Sequence, residues 1–398
     1  MLITADRVIT STSSGTIADG AVLVDGTAIV AVGTRAEVAA QASADEQVLA
    51  FPGATVMPGL VDAHVHLVFN AGPDPVSDLE SRDNDALLKD MGTRAQQLLS
   101  AGVTTVRDLG DRDHLALRLA TSITAGTAVG PRIISAATPI TSPGGHCWFL
   151  GGEASGVDEI RRLVQRNAAV GAKVIKVMET GGGLTKGGAK SWESQFAPEE
   201  LSALVDEAHR AGLPVAAHAH GTRGIAAAVE AGVDTLEHCT WMTPSGFELQ
   251  EDVLAQILDK GIHVCPTVST HWQTLPKVFG PERAAAMFDI VRRMAEAGVR
   301  LIAGTDAGVQ RSEFNGPAPS LTFYQHLGLT NSRIIEMATI EAARALGVAD
   351  QTGQLAVGYS ADLLVIGGDP LSDLRSLSSV RAVITAGVHH EPTGASQR

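Results

Sequence analysis

The middle of the chain alternates helices with short apolar strands, and this alternation constrains the fold more than any other feature of the sequence. Helical periodicity over residues 87–101 leads into a strand at 103–107. The same pairing recurs as 158–169 with 173–177, 198–211 with 213–218, 224–231 with 233–238, 255–260 with 262–265, and 283–297 with 299–303. Strands that alternate with helices at this spacing are expected to be parallel and joined by right-handed crossovers.

Two further short strands complete the pattern. Thr55-Val56-Met57 and residues 131–134 bring the total to about eight βα units, the number found in a TIM barrel. An open, doubly wound sheet is the competing arrangement. A closed barrel gathers its active-site residues at the C-terminal ends of several strands, and the polar residues of this chain fall at those ends. We therefore predict an α/β fold in which residues 57–350 form a (β/α)8 TIM barrel.

Both ends of the chain are rich in short strands and turns. Strands are predicted over residues 8–10, 21–25 and 28–32, and Asp25-Gly26 is a strong hairpin signal between the last two. The C-terminal end has the same character in residues 361–366 and 380–384. We predict that residues 1–56 and 351–398 pair into one small, composite β-sandwich-like domain.

Ionisable side chains stand at the ends of successive predicted barrel strands. His64 and His66 are two residues apart, so in an extended segment they share a face. His218, His238 and Asp306 end or follow later strands. Imidazoles with one carboxylate suit Zn2+ or a similar first-row ion better than Ca2+ or Mg2+, which prefer oxygen ligands. Any one of these residues alone would be read as a structural polar group, but five in one repeating pattern indicate a metal centre.

Lys176 is the least obvious member of this set. It is three residues from Lys173, so the two lysines face opposite sides of their strand, and Lys176 is nearer the C-terminal end. A bare ammonium group inside the barrel and close to metal ions would be disfavoured by burial and by repulsion between like charges. The chemistry leaves open whether this lysine is neutral or is converted by CO2 to an anionic carbamate.

These residues resemble a known ligand pattern. His64-Val65-His66, Lys176, His218, His238 and Asp306 resemble the metal ligands of the binuclear amidohydrolase superfamily, in the order that the superfamily uses. The segments 56–62 and 358–365 resemble it as well, so the likeness covers essentially the whole chain. Residues 142–146 and 175–182 are similar to the branch that holds Xaa-Pro and Xaa-Arg dipeptidases, imidazolonepropionase-like amidohydrolases and some hydrolases of xenobiotic amides and ureas.

The resemblance implies two divalent metal ions, expected to be Zn2+, bridged by carboxylated Lys176. The other ligands divide between the ions, with His64, His66 and Asp306 at the more buried one and His218 and His238 at the more exposed one. A metal-bound hydroxide would attack the substrate, and Asp306 would carry its proton to the leaving nitrogen. The expected reaction is hydrolysis of an amide C–N bond in a dipeptide or an N-acyl amino acid with a free carboxylate.

Three further residues are candidates for contact with the substrate. His220 lies two residues after His218 and one step nearer the mouth, where it would hydrogen-bond the substrate carbonyl or carboxylate as a catalytic and substrate-binding residue. His146 follows a Pro-Gly-Gly turn suited to a loop over the mouth, although an exposed loop position fits it almost as well. Glu179 either binds a cationic group of the substrate or faces away from the barrel.

Other functions share parts of this pattern. The same site could hydrolyse a xenobiotic amide, urea, carbamate, lactone or phosphoester, because fold and metals do not choose among them. The loops 178–195 and 268–279 should determine which of these substrate classes the site accepts. The second loop contains His271 and Trp272, which either line a pocket or pack within the loop. All six ligand positions are filled, which argues against a non-enzymatic barrel. The lysine and the acidic charge argue against a deaminase of nucleic-acid bases.

The amino-acid composition limits the classes of binding partner that can be expected. The formal net charge is -14 and no Lys/Arg-rich run occurs, which argues against nucleic acid or an anionic membrane as partner. The three cysteines form no CxxC pair, so no thiolate zinc site is indicated. The N-terminal residues lack a basic region followed by an apolar core, and a cytoplasmic enzyme is expected. We expect a small-molecule substrate and a homo-oligomer, since a hydrophobic content of 44% permits an apolar interface.

Overall fold

The computed structural model describes residues 1–392. Its strands, in chain order, are β1 (Leu2–Ile9), β2 (Thr16–Asp25), β3 (Ala28–Thr34), β4 (Val48–Pro58), β5 (Leu60–Val65), β6 (Val103–Asp108), β7 (Arg132–Ser135), β8 (Ile175–Met178), β9 (Val215–Gly221), β10 (Thr235–Thr243), β11 (Gly246–Phe247), β12 (His263–Cys265), β13 (Arg300–Leu301), β14 (Leu363–Gly367), β15 (Val380–Thr385) and β16 (Val388–His390). Its helices are α1 (Arg35–Ala39), α2 (Pro75–Glu80), α3 (Asn84–Ser100), α4 (Leu115–Thr124), α5 (Gly156–Ala169), α6 (Pro198–Arg210), α7 (Thr222–Ala231), α8 (Glu251–Lys260), α9 (Leu275–Phe279), α10 (Pro281–Glu296), α11 (Ala318–His326), α12 (Asn331–Met337) and α13 (Ile340–Ala345). Short 3-10 turns cover Trp148–Leu150, Trp272–Thr274 and Leu374–Ser378.

Strands from both ends of the chain form one seven-stranded sheet, in the order β16-β15-β14-β4-β1-β2-β3. The predicted hairpin joins β2 to β3, and Gly26 adopts the left-handed conformation of its turn with a φ of 54°. β14 pairs antiparallel with β4, so the C-terminal strands extend the N-terminal sheet and share its apolar core. The limits proposed for this domain, 1–56 with 351–398, and for the barrel, 57–350, stay predictions, and residues 393–398 lie outside the described residues.

The prediction that Thr55-Val56-Met57 forms a barrel strand is wrong. These residues belong to β4, which pairs with β1 and β14 in the terminal sheet, and the first barrel strand is β5. Gly59 separates β4 from β5. A β carbon at Gly59 would lie 2.1 Å from the Oγ1 atom of Thr104, so the chain passes from sheet to barrel where only glycine fits without displacing a neighbour. The two apolar strands are almost continuous in sequence, so the sequence alone does not distinguish the last strand of the terminal sheet from the first strand of the barrel.

Eight parallel strands close into the predicted TIM barrel: β5, β6, β7, β8, β9, β10, β12 and β13. Hydrogen bonds close the two seams between its partial sheets. At one seam, Ile140 exchanges backbone hydrogen bonds of 2.8 and 2.9 Å with β8. At the other, the amide of Ala63 donates to the carbonyl of Ala303 at 2.9 Å, and the amide of Asp306 donates to the carbonyl of His64 at 2.8 Å. The fold class is therefore confirmed.

The barrel interior is layered. An apolar cluster that includes Val61, Ala63, Ala216 and Ile302 fills it below the polar residues. The polar residues are consequently confined to the C-terminal ends of the strands, where TIM barrels carry their active sites. Helices cover the outside of the barrel, and among residues 1–392 no helix is long and apolar enough to cross a membrane.

Candidate functional site

The first group of predicted site residues joins the first and last strands of the barrel. His64 lies in β5, His66 follows it directly, and Asp306 follows β13. Oδ1 of Asp306 lies 3.3 Å from Nε2 of His64 and 3.6 Å from Nε2 of His66. Both histidines are buried, and Nε2 of His64 has no hydrogen-bond partner among residues 1–392. Three donor atoms therefore converge on one point, as a metal ion requires.

The backbone of Asp306 is held in an unusual conformation. Its φ of 58° lies in the left-handed region, which a non-glycine residue seldom adopts. The neighbouring Thr305 donates its hydroxyl to Asp62 at 2.6 Å and its amide to the same carboxylate at 3.0 Å. Asp62 is fully buried at the base of β5. This contact fixes the β13 loop to the strand that carries His64, and the strained backbone aims the Asp306 carboxylate at the histidine pair.

The second group of histidines consists of His218 and His220 in β9 and His238 in β10, at the barrel mouth. The ring centroids of His218 and His238 are 4.5 Å apart, and His220 stacks on His238 at 4.4 Å with 15° between the planes. One nitrogen of each ring has a partner: the Gly181 carbonyl for Nε2 of His218 at 3.1 Å, and threonine hydroxyls for Nδ1 of the other two at 3.0 and 2.6 Å. One ring nitrogen from each of these three histidines lies within 4.8 Å of the others, close enough to hold one ion.

Lys176 lies in β8 on the inner face of the barrel and borders the same cavity as His66 and the second histidine group. Its side chain is buried, and its Nζ atom has no hydrogen-bond partner among the described residues. Burial lowers the pKa of Lys176 to about 8, although Glu237 and Asp306 oppose the shift. An unpaired buried amine with a lowered pKa has a reactive lone pair, which is what carbamate formation needs.

Glu237 was not predicted as a site residue, yet it lies at the centre of the buried polar network. Its Oε2 atom is 2.7 Å from Nδ1 of His64, and its Oε1 atom accepts hydrogen bonds from Arg107 at 2.7 Å and Thr235 at 2.6 Å. Glu237 is fully buried. A carboxylate behind a ligating imidazole orients the ring and makes its other nitrogen a better ligand. Its position next to His238, a predicted ligand, is the only signal the sequence offered.

Burial sets the protonation states at the site. It lowers the pKa of His64 well below the ordinary range and that of His66 to about 4, and the charge of Lys176 adds to both shifts. Burial and neighbouring imidazoles do the same for His218 and His238. These rings are therefore neutral near pH 7 and keep the lone pairs that a metal ion needs. Burial raises the pKa of Asp306 to about 7, with Lys176 acting in the opposite direction.

His146 is buried at the cavity, so the alternative of an exposed loop position is wrong. Its ring centroid lies 4.6 Å from that of His218, and its Nδ1 atom is 3.3 Å from the Thr185 hydroxyl. A β carbon at Gly182 would come within 2.4 Å of Nε2 of His146. The glycines of the loop after β8 therefore make room for this imidazole beside the second histidine group.

Glu179, by contrast, does not line the cavity formed by the described residues. Lys176 and Met178 face the cavity, and the next residue of the strand turns the other way. Glu179 packs towards the start of α7, where a β carbon at Gly224 would lie 3.4 Å from its Cγ atom. This position matches the alternative in which Glu179 faces away from the cavity, and its contact with a cationic substrate group stays a prediction that the geometry does not support.

A cavity of about 470 Å³ opens over these residues at the barrel mouth. His66, Asp306, Lys176 and the second histidine group form its floor. Trp272 lines its side, whereas its neighbour His271 pairs with Glu313 at 2.9 Å and is half exposed. The predicted role of the loop 268–279 in shaping the pocket therefore applies to the tryptophan and not to the histidine.

Comparison with known proteins agrees with this architecture. Residues 55–389 match the model of the amidohydrolase family. The chain is 30% identical to ochratoxinase of Aspergillus niger over 374 residues, which cover 82% of this chain and 73% of ochratoxinase. It is 28% identical to imidazolonepropionase of Mesorhizobium japonicum over 389 residues, covering 88% and 87% of the two chains.

Solved structures give the same result. A Xaa-Pro dipeptidase with methionine bound in its active site superposes with a TM-score of 0.84 at 28% identity, covering 98% of this chain and 99% of the dipeptidase. The structure of A. niger ochratoxinase also gives a TM-score of 0.84, at 27% identity, with coverage of 100% and 98%. The chain belongs to the amidohydrolase family of enzymes.

Proposed function

We propose that the protein is a metal-dependent hydrolase that cleaves an amide C–N bond at the barrel mouth. The observation that carries the proposal is the convergence of His64, His66 and Asp306 on one point, with an unpaired Nε2 atom on His64. A buried ring nitrogen without a partner is costly in a folded protein, and a metal ion would remove that cost. The unpaired Nζ atom of Lys176 fits the same centre.

The donor set supports two ions. His64, His66 and Asp306 would hold one and His218 with His238 the other, with carboxylated Lys176 between them. Neutral imidazoles and a carboxylate suit Zn2+. Bound divalent ions would supply a nucleophilic water of lowered pKa and polarise the scissile carbonyl.

The side chains would then move the protons. Asp306, held beside His64 and His66, would accept a proton as the nucleophile attacks and return it to the departing nitrogen. In the overall reaction, water adds its hydroxyl to the carbonyl carbon and a proton to the nitrogen as the C–N bond breaks. The products are a carboxylic acid and an amine.

His220 and His146 are placed to orient the carbonyl. Both border the cavity on either side of His218, with ring centroids 4.7 and 4.6 Å from it. The Thr240 contact at Nδ1 leaves Nε2 of His220 free for the substrate. His220 is also close enough to His218 and His238 to act as a ligand, and the proposal assigns it to the substrate.

The proteins that are similar to this chain support amide hydrolysis as the reaction, but they differ from one another in substrate. Ochratoxinase, imidazolonepropionase and a Xaa-Pro dipeptidase are all similar to this chain. A dipeptide or N-acyl amino acid remains the first substrate class to test, and a xenobiotic amide, urea or carbamate is the second candidate. The aromatic side chains that line the cavity, among them Trp272, Phe279 and Phe288, favour that second candidate.

The test is removal and return of metal. The protein is stripped with a chelator, reloaded with Zn2+, Mn2+ or Co2+, and assayed for amine release from dipeptides, N-acyl amino acids and simple anilides. We expect no turnover after stripping and recovery with at least one ion. Turnover that survives complete removal of metal would contradict the proposal. The cytoplasmic location, the homo-oligomer and the identity of the ions stay predictions.

A further inference from the structure

The cavity over the site has two chemically different sides. Its floor carries the histidines, Lys176 and Asp306, whereas one long wall is apolar. The wall consists of Trp272, Leu275, Phe279, Met287, Phe288 and Phe323. Five of these residues come from the segment between β12 and β13, and the sixth comes from α11. The segment after one barrel strand therefore contributes most of the surface that a substrate would meet beyond the reacting bond.

The aromatic part of this wall is held in place before any ligand arrives. Trp272 packs on Phe288 and Phe323 with ring centroids 6.1 and 5.5 Å away, and the two phenylalanines lie 5.0 Å apart at 73°. The indole nitrogen of Trp272 donates to the Thr322 hydroxyl at 3.0 Å. Rings packed edge to face and tethered by a hydrogen bond lose little freedom when they bind a ligand.

Beyond the floor of the cavity, the lining formed by the described residues carries no charged side chain that could pair with a charged substrate tail. Among the described lining residues, Lys176 is the only lysine or arginine and Asp306 is the only carboxylate. Both belong to the floor. The remaining polar groups outside the histidines are neutral: Thr240, Thr267, Ser269 and Gln310. A carboxylate or ammonium placed against the wall would lose its hydration without gaining a partner, which is strongly unfavourable.

We propose that the wall binds an uncharged aromatic group attached to the scissile amide, so that the substrates are neutral aryl or arylalkyl amides, or the related ureas. This inference rests on the proposed hydrolase function and narrows its substrate class. It departs from the sequence-based expectation of a free carboxylate, because that expectation needs a cation in the cavity beyond the floor. Apolar contact with the wall supplies the binding, and the neutral hydroxyl and amide groups of the lining can hydrogen-bond polar atoms of the tail.

The first test compares matched amides on the metal-loaded protein. One pair carries the ring on nitrogen, as acetanilide and 4-acetamidobenzoate. The other varies the acyl side, as N-methyl-3-phenylpropanamide and N-methylsuccinamate. We expect kcat/KM to be at least about tenfold higher for the neutral member of one pair or both, because the first pair differs by the cost of desolvating an unpaired carboxylate and the second also by the burial of an aromatic ring. Equal rates within both pairs, or faster hydrolysis of the charged members, would overturn the inference.

The second test places a cation on the wall. Phe279 is 48% exposed at the rim of the cavity, so Phe279→Arg should fold. Val278 is equally exposed on the same helix but does not line the cavity, which makes Val278→Arg a matched control. We expect Phe279→Arg to raise the ratio of kcat/KM for 4-acetamidobenzoate over acetanilide by about fivefold or more. An unchanged ratio, or the same change in Val278→Arg, would contradict the inference.

Failure of the substrate class can be separated from failure of the hydrolase function. If the metal-loaded protein hydrolyses dipeptides but none of the neutral amides, the function stands and the inference is wrong. If it hydrolyses no amide at all, the function is wrong, and calorimetric binding then decides the inference. In that case Phe279→Arg should still raise the affinity for 4-acetamidobenzoate relative to acetanilide, and no change in relative affinity would overturn the assignment of the wall.

Discussion

The carboxylate of Glu237 lies 2.7 Å from Nδ1 of His64, with both side chains buried beneath the barrel mouth. Its second oxygen accepts from Arg107 and Thr235, so the carboxylate is fixed from two sides. The imidazole is thereby turned so that Nε2 faces Asp306 at 3.3 Å. The orientation of one proposed ligand is thus set by a residue that would not touch the metal.

Glu237→Gln should weaken metal binding. The amide keeps the size of the side chain but removes the charge that polarises His64, and loss of such a partner costs roughly ten- to a hundredfold in metal affinity. Competition with a chelator measures the effect, and circular dichroism checks that the variant is folded. Glu230→Gln, at an exposed position on α7, is the control and should bind metal normally. Unchanged affinity in Glu237→Gln would show that this carboxylate does not support the ligand.

Asp306→Asn should separate metal binding from turnover. The amide oxygen can still ligate, but it cannot accept the proton that the mechanism assigns to the carboxylate. We expect metal content to stay close to wild type and kcat to fall by about 10² to 10⁴, the usual contribution of a positioned proton carrier. Elemental analysis and steady-state kinetics provide the two measurements. Near-normal kcat would rule out the proton-transfer role of Asp306.

His220→Ala should distinguish a substrate contact from a metal ligand. The ring is stacked 4.4 Å from His238, and its Nδ1 atom already contacts Thr240. If Nε2 serves the substrate, the variant keeps its metal while kcat/KM falls by about tenfold or more, the loss expected for one hydrogen bond to a developing charge. A parallel fall in metal content would instead make His220 a ligand and contradict the assignment.

Glu179→Gln should change how stability depends on pH. Burial raises the pKa of Glu179 to about 8, with Ser194 only partly opposing the shift, so the folded protein favours the protonated side chain. The stabilisation is fully present below the unfolded pKa of about 4.5 and is lost as the pH rises through about 8. The variant cannot ionise, so its free energy of unfolding relative to wild type should rise by about 3 kcal/mol between pH 5.5 and pH 8.5.

Urea unfolding of the metal-loaded proteins at the two pH values measures this difference. Glu199→Gln, exposed on α6, is the control and should follow wild type at both pH values. A constant difference between Glu179→Gln and wild type would mean that Glu179 titrates normally in the folded protein.

Much of the fold followed from periodicity in the sequence. Helices and strands alternate along the chain, and each has its own period of apolar residues, so the barrel and its parallel strands could be predicted. His64 and His66 could be placed on one face because successive side chains in a strand point to opposite sides. The boundary at Gly59 could not be placed, because β4 and β5 are both apolar and only a contact with Thr104 distinguishes the junction.

The rest of the site depends on contacts distant in sequence. Glu237 and His238 are adjacent, and strict alternation would point them to opposite faces of β10. The φ of 68° at His238 turns the chain, so both side chains reach the barrel interior. The apolar wall of the cavity could not be predicted from the sequence either, because the apolar residues of α10 have the same pattern as those of an ordinary core-facing helix.

The most direct test of the account is the metal content of wild type and Lys176→Ala, both purified with bicarbonate present. Lys173→Ala, whose side chain is exposed on the same segment, is the matched control. We expect about two equivalents of metal in wild type and in the control, and a sharp fall in Lys176→Ala, because the lysine carbamate would bridge the ions. About one equivalent in all three proteins would contradict it, since Lys176 would then not be a ligand.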